Sequence, residues 1–150
     1  GSEMCIRDRY AALGGKGDCG VQALLFITLC RCVGIPARWQ AGLYVTPQDI
    51  GNHDWARFYI APYGWLYADC SFGGSAYRNG DQERWQYYFG HLDPFRMPAN
   101  SEYQYDLYPP KQFIRQDPYD NQTGEAEFED RGLYLDEYDL HLEVLEIKKV

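Results

Sequence analysis

The chain has 150 residues, enough for one domain and one modest core, and its 45% apolar and 17% aromatic content excludes a disordered chain. Its net charge of −8 has a location: residues 1–100 hold nine acids and nine bases, and residues 101–150 hold thirteen acids and five bases. A neutral or acidic surface offers no patch to neutralise phosphates, which argues against nucleic acid as a partner and against binding at anionic membranes. Five cysteines, an odd number, argue against a disulfide scaffold. No C-x-x-C or H-x-x-x-H spacing occurs, so no metal site and no cofactor are expected.

Gly1-Ser2 resembles the remnant of an expression tag. Residues 1–16 are therefore expected to be tag or linker, with an N-terminal part of the native protein lying upstream. Gly14 to Asp18 is a flexible approach to a helix. It does not follow the phosphate-binding G-x-x-x-x-G-K-[ST] order. Asp18 is placed to cap a helix over Cys19–Val33, and Gly34 and Pro36 end it. That helix is apolar over most of its circumference, the pattern of a central buried helix. Its longest apolar stretch, Val21–Cys30, is too short to cross a bilayer, so no membrane insertion is expected.

Ala37–Val45 has strand character, Thr46–Asn52 reads as a turn, and His53–Ile60 as a second strand. Ala61–Gly64 then turns the chain into a third strand, Trp65–Cys70. His53, Trp55, Arg57 and Tyr59 share one face of the second strand; Trp65, Tyr67 and Asp69 share one face of the third. A hairpin between them brings His53 towards Asp69, but ideal register leaves an offset that needs a bulge or a diagonal contact. Further on, Asp81–Gly90 is expected to be a short helix and residues 101–130 an irregular surface segment. Asp139–Ile147 alternates, with Leu140, Leu142 and Val144 on one face, and reads as a last strand. The expected fold class is α+β, a central helix packed on an antiparallel sheet. Residues 17–100 form the core and residues 101–150 an acidic extension of the same domain.

Cys19 is the most suggestive residue. A helix N-terminus favours the thiolate, which is the nucleophilic form. Gly20 beside it permits close approach, and first-turn N–H groups can stabilise an oxyanion. His53 is a candidate general base and acid, and Asp69 a candidate to orient its ring. Taken singly, each has an ordinary use: a small core cysteine, a strand-end histidine, a turn carboxylate. The three together, in this order, point to nucleophilic catalysis.

The run Gly17-Asp18-Cys19-Gly20, Ala23, Phe26, Leu29-Cys30-Arg31 and Gly34-Ile35-Pro36-Ala37-Arg38 resembles the core of the transglutaminase-like superfamily, a relative of the papain-like folds. His53-x-Trp55, Tyr59, Gly64-Trp65 and Asp69-x-Ser71 continue the resemblance. The later Phe89-Gly90, Leu92-Asp93-Pro94, Arg96 and Asn100 look like the tail of bacterial members, read here as structural. The resemblance implies a Cys19–His53–Asp69 triad and acyl transfer on a peptide or amide substrate through a thioester. Hydrolysis is expected over transamidation. Calcium is not implied, since the acidic run 117–130 lacks the EF-hand order.

Members of the superfamily also carry a side chain that completes the oxyanion hole, for which Gln22 and Trp39 are candidates. Trp55 and Trp65 are expected to wall the site. Arg38 is expected to tie a buried carboxylate, and His91 and His141 to have ordinary surface roles. Two alternatives remain: an inert binding or structural module with the same fold, and a carbohydrate-binding module suggested by aromatic content alone. The acidic extension is expected to hold no residue of the chemistry, and to face a cleft rim or an adjoining domain.

Overall fold

A computed structural model describes residues 11–148. Helix α1, Cys19–Cys32, starts where Asp18 accepts the Val21 N–H at 2.8 Å. It ends in a double bond pattern, Gly34 N to Arg31 O at 3.1 Å and Ile35 N to Cys30 O at 2.9 Å. That pattern needs a left-handed residue just past the helix, and Gly34 supplies it at φ +82°. One face of α1 is buried: Val21, Ala23, Leu24, Ile27 and Cys30. Leu29 and Val33 are 58% and 73% exposed, so the helix is not enclosed on all sides as its composition suggested. The sheet covers one face only.

That sheet has five antiparallel strands in the order β4-β3-β2-β1-β5. They are β1 Ala37–Val45, β2 Ile50–Ile60, β3 Gly64–Ala68, β4 Phe89–Gly90 and β5 Arg96–Asn100. The β1–β2 hairpin is long, paired from Ala37–Phe58 to Val45–Ile50, so β2 begins three residues earlier than expected. Thr46 and Asp49 close its turn, with Thr46 N to Asp49 O at 2.9 Å. The β1–β5 pairing shifts register at Ala41/Gly42. A Cβ on Gly42 would sit 2.1 Å from the Met97 carbonyl oxygen, so the strands meet this closely only because residue 42 has no side chain.

Alternate residues of the strands face α1. Ala37, Trp39 and Ala41 of β1, Ala56 and Phe58 of β2, and Ala68 of β3 form the core with Ala23, Leu24, Ile27 and Cys30. The opposite face carries Gln40, Tyr44, His53 and Trp55; Trp55 is fully buried and donates to Gln40 Oε1 at 2.8 Å.

The third strand stops at Ala68, not at Cys70. Asp69 takes the N–H groups of Ser71 and Phe72 and so starts helix α2, Cys70–Arg78, a helix not expected from the sequence. Helix α3, Gln82–Tyr87, follows under the cap of Asp81. Beyond β5 the described residues, to 148, are largely irregular, apart from a two-strand ribbon of β6, Ala126–Glu127, and β7, Gly132–Leu133. The expected last strand over 139–147 does not form. Its Leu140, Leu142 and Val144 alternate, but an alternating face becomes a strand only when a neighbour takes its backbone groups, and none pairs with it. Among the described residues no helix is long and apolar enough to cross a membrane.

Candidate active site

The hairpin register decides what meets His53. Ala56 pairs with Ala68, which sets Asp69 opposite Trp55 and two residues from His53 on the same face. The contact is therefore diagonal and needs no bulge. His53 Nε2 lies 2.8 Å from Asp69 Oδ2, and both residues are buried, 3% and 1% exposed. The ring of Phe72 packs on the imidazole with centroids 4.5 Å apart. Since Nε2 faces the carboxylate, Nδ1 is the nitrogen left for proton exchange.

Asp69 has more partners than a hairpin contact provides. Its Oδ1 caps α2, accepting Ser71 N at 3.1 Å and Phe72 N at 2.9 Å. Its Oδ2 also meets Arg96 Nη2 of β5 at 3.0 Å. The Arg96 side chain is itself buried, spans to Asp93 at 2.9 Å and stacks its guanidinium on Phe72 at 4.3 Å. Arg96 thus does what Arg38 was expected to do. Arg38 instead lies over the Trp65 ring, 5.1 Å from its centroid.

Cys19 opens α1, as the motif requires, but its partner is Asp54. The sulfur donates to Asp54 Oδ2 at 3.4 Å. Asp54 follows His53 on β2, so alternation turns it to the α1 face while His53 turns away. Cys19 and His53 are not hydrogen bonded to one another. Burial first, and then the Asp54 charge, push the Cys19 thiol up to about 12. The helix end was expected to favour the thiolate. Its charge is only about half an elementary charge; burial outweighs it first, and the adjacent carboxylate, once ionised, adds a full opposing charge.

Asp54 is 3% exposed and both its oxygens are engaged. Oδ1 accepts Gln122 Nε2 at 2.8 Å, from a residue 68 positions away in the acidic extension. Burial and the charge of Asp120 raise the Asp54 carboxyl to about 7, against the opposing bonds from Gln122 and Cys19.

The remaining candidates divide by place. A Cβ on Gly20 would come 3.0 Å from Asp54 Oδ2 and 3.2 Å from the Trp39 ring, so Gly20 and Trp39 flank the cysteine. Gln22 is tied back to the approach loop, donating to Gly17 O at 2.7 Å. Trp55 lies beside His53, ring centroids 6.2 Å apart. Trp65 pairs with Tyr59, six residues along β2 from His53, roughly 20 Å at strand rise, and approaches neither Cys19 nor His53. Among the described residues no three His, Cys, Asp or Glu side chains are grouped to hold a metal ion.

Asp54, Gln122 and the role of Arg96 went unread in the sequence. Asp54 left one signal, a charge at a position whose parity matches the core residues Ala56 and Phe58. Gln122 left none, because nothing local marks a contact over 68 positions.

Residues 8–70 match the family model of the transglutaminase-like superfamily, a span that contains Cys19, His53 and Asp69 and ends before Arg96 and Gln122. No curated protein and no solved structure matches the chain significantly.

Proposed function

Residues 8–70 are a transglutaminase-like superfamily domain, and from that premise we propose that the chain carries out cysteine-dependent acyl transfer on amide bonds, with hydrolysis as the outcome. Cys19 is the nucleophile. His53 accepts its proton and returns it to the leaving amine, and Asp69 orients the ring. The sulfur bonds to the carbonyl carbon, the C–N bond breaks with the protonated amine leaving, and water then cleaves the thioester. The N–H groups of Cys19 and Gly20 are the first-turn donors for the oxyanion, since those of Val21 and Gln22 are taken by Asp18. No cofactor is called for, and the substrate is a peptide or another amide.

The observation that carries this reading is the buried His53–Asp69 pair at 2.8 Å within the same domain as a helix-opening cysteine. The reading makes one structural demand: the thiol must leave Asp54 and reach the imidazole, which faces the other side of β2. A second reading, an inert module with the superfamily fold, is favoured by the bond from Cys19 to Asp54 and the raised thiol.

A peptide-based acyloxymethyl ketone separates the two. Acyl-transfer chemistry gives a stoichiometric adduct on Cys19, absent in Cys19→Ala and slowed about 100-fold or more in His53→Ala. No adduct on the folded protein or on its folded Asp54→Asn and Gln122→Ala variants, or equal rates with and without His53, overturns the proposal.

A further inference from the structure

Asp54 is a buried carboxylate that touches the sulfur of the candidate nucleophile, and the triad has no use for it. Its placement is built from three parts of the chain. β2 carries it to the α1 face. Gly20, by lacking a Cβ, lets it come close to the start of α1. Gln122 then holds its second oxygen at 2.8 Å.

Gln122 is delivered by a segment that is itself anchored. Glu125 accepts the backbone N–H groups of Gln116 and Asp117 at 3.0 Å and pairs with Lys111. Gln104 N donates to Tyr119 O at 3.0 Å, and Tyr119 stacks on Tyr103, which packs edge-on against Trp39. Residues 117–125 therefore lie across the site from Trp39 to Asp54, and Gln122 is nine-tenths buried there.

We infer that Asp54, clamped by Gln122, sets the reactivity of Cys19: the clasp holds the sulfur as a protonated donor, and loosening it releases the nucleophile. The inference rests on the reading of Cys19 as the nucleophile and adds the residues that control it. The charged groups around Asp54 are acidic, Asp18 at the start of α1 and Asp120 on the clamping segment. Its hydrogen-bond partners, Cys19 and Gln122, are neutral, and β1 presents Ala41 opposite it and Trp39 beside Gly20. Nothing cationic in this set offsets the carboxylate. Ionising the thiol while Asp54 is charged would set two negative charges 3.4 Å apart in a buried place. Gln122 favours that charged form, because an amide N–H donates to a carboxylate better than to its acid.

The test is alkylation of the full chain by iodoacetamide, read cysteine by cysteine by mass spectrometry at pH 6 to 10. The variants are Asp54→Asn, which keeps the shape and removes the charge, and Gln122→Ala, which removes the clamp from a surface segment. Asp54→Asn should alkylate Cys19 at least tenfold faster at pH 8, with the rate–pH curve moved to lower pH. Gln122→Ala should move it the same way by less. Cys32, exposed and outside the site, should keep its rate and serves as the reference within each sample. A merely structural role for Asp54 would alter melting without moving the Cys19 curve relative to Cys32. Unchanged or slower Cys19 alkylation in both folded variants overturns the inference. The two proposals fail separately. Faster alkylation with no ketone adduct on any variant leaves the clasp and removes acyl transfer. A His53-dependent adduct with unchanged alkylation in Asp54→Asn does the reverse.

Discussion

Arg96 Nη2 lies 3.0 Å from Asp69 Oδ2, the oxygen that also takes His53 Nε2 at 2.8 Å. A fully buried carboxylate is thereby met by a guanidinium, an imidazole and two helix N–H groups, which is what burial of a charge requires. Removing one partner leaves the rest uncompensated. Arg96→Met, which keeps the volume, should therefore destabilise the fold by about 3–5 kcal/mol, since Asp69 and Asp93 both lose their cation. Urea unfolding measures it. A loss under about 1 kcal/mol would mean that solvent or another group takes over, and that Arg96 does not hold the pair in place.

Gly42 gives a second prediction. The β1–β5 register shift brings the Met97 carbonyl to 2.1 Å from where a Cβ would stand, and a backbone oxygen cannot rotate away like a side-chain tip. Gly42→Ala should cost at least the 1–3 kcal/mol of an overpacked site. β5 should loosen first, taking Arg96 with it. Hydrogen exchange would show lost protection in β5 with β2–β3 retained. Uniform protection across the sheet would contradict this.

The motif residues were legible because their signals are local. A cap, a helix and a glycine stop specify α1, and alternation with turn residues specifies the β1–β2–β3 meander. The diagonal from His53 to Asp69 was readable as a possibility, because strand parity and a short turn limit the register to a few choices. What escaped depends on contacts distant in sequence. Cys70 looked strand-like until Asp69 capped a helix behind it. The alternating 139–147 segment looked like a strand, but strand formation needs a partner that periodicity cannot supply. Parity also contained the fact that His53 and Asp54 must face opposite ways. Which of them faced α1 depended on how the helix packs, and that is a tertiary outcome.

The Cys19 thiol, pushed up to about 12 by burial and by Asp54, predicts a specific pH profile for the unmodified protein. Alkylation of Cys19 should climb steadily to pH 10 with no plateau, and should lag behind the same cysteine in the unfolded chain, whose thiol ionises near 8.5. A plateau beginning below pH 7 would show a thiolate already formed, and the bond to Asp54 would then not represent the protein in solution.

Asp54 makes the last prediction, on stability. Its carboxyl is raised from 3.8 to about 7 in the folded protein, chiefly by burial. Between those values the folded state keeps a proton that the unfolded chain has released. Stability must then fall as pH rises through that window and level off above it. At about 1.4 kcal/mol per unit, the difference is on the order of 4 kcal/mol. Asp54→Asn cannot ionise and is spared that loss. Near pH 4 the two proteins should unfold at similar urea concentrations, and near pH 8 the variant should be the more stable by a few kcal/mol. The gap should open between pH 4 and 7, the window in which the folded carboxyl holds a proton that the unfolded chain has released. A gap that is constant with pH would mean the carboxyl titrates alike in the folded and unfolded states. Asp54 would then carry no buried charge to press on the thiol.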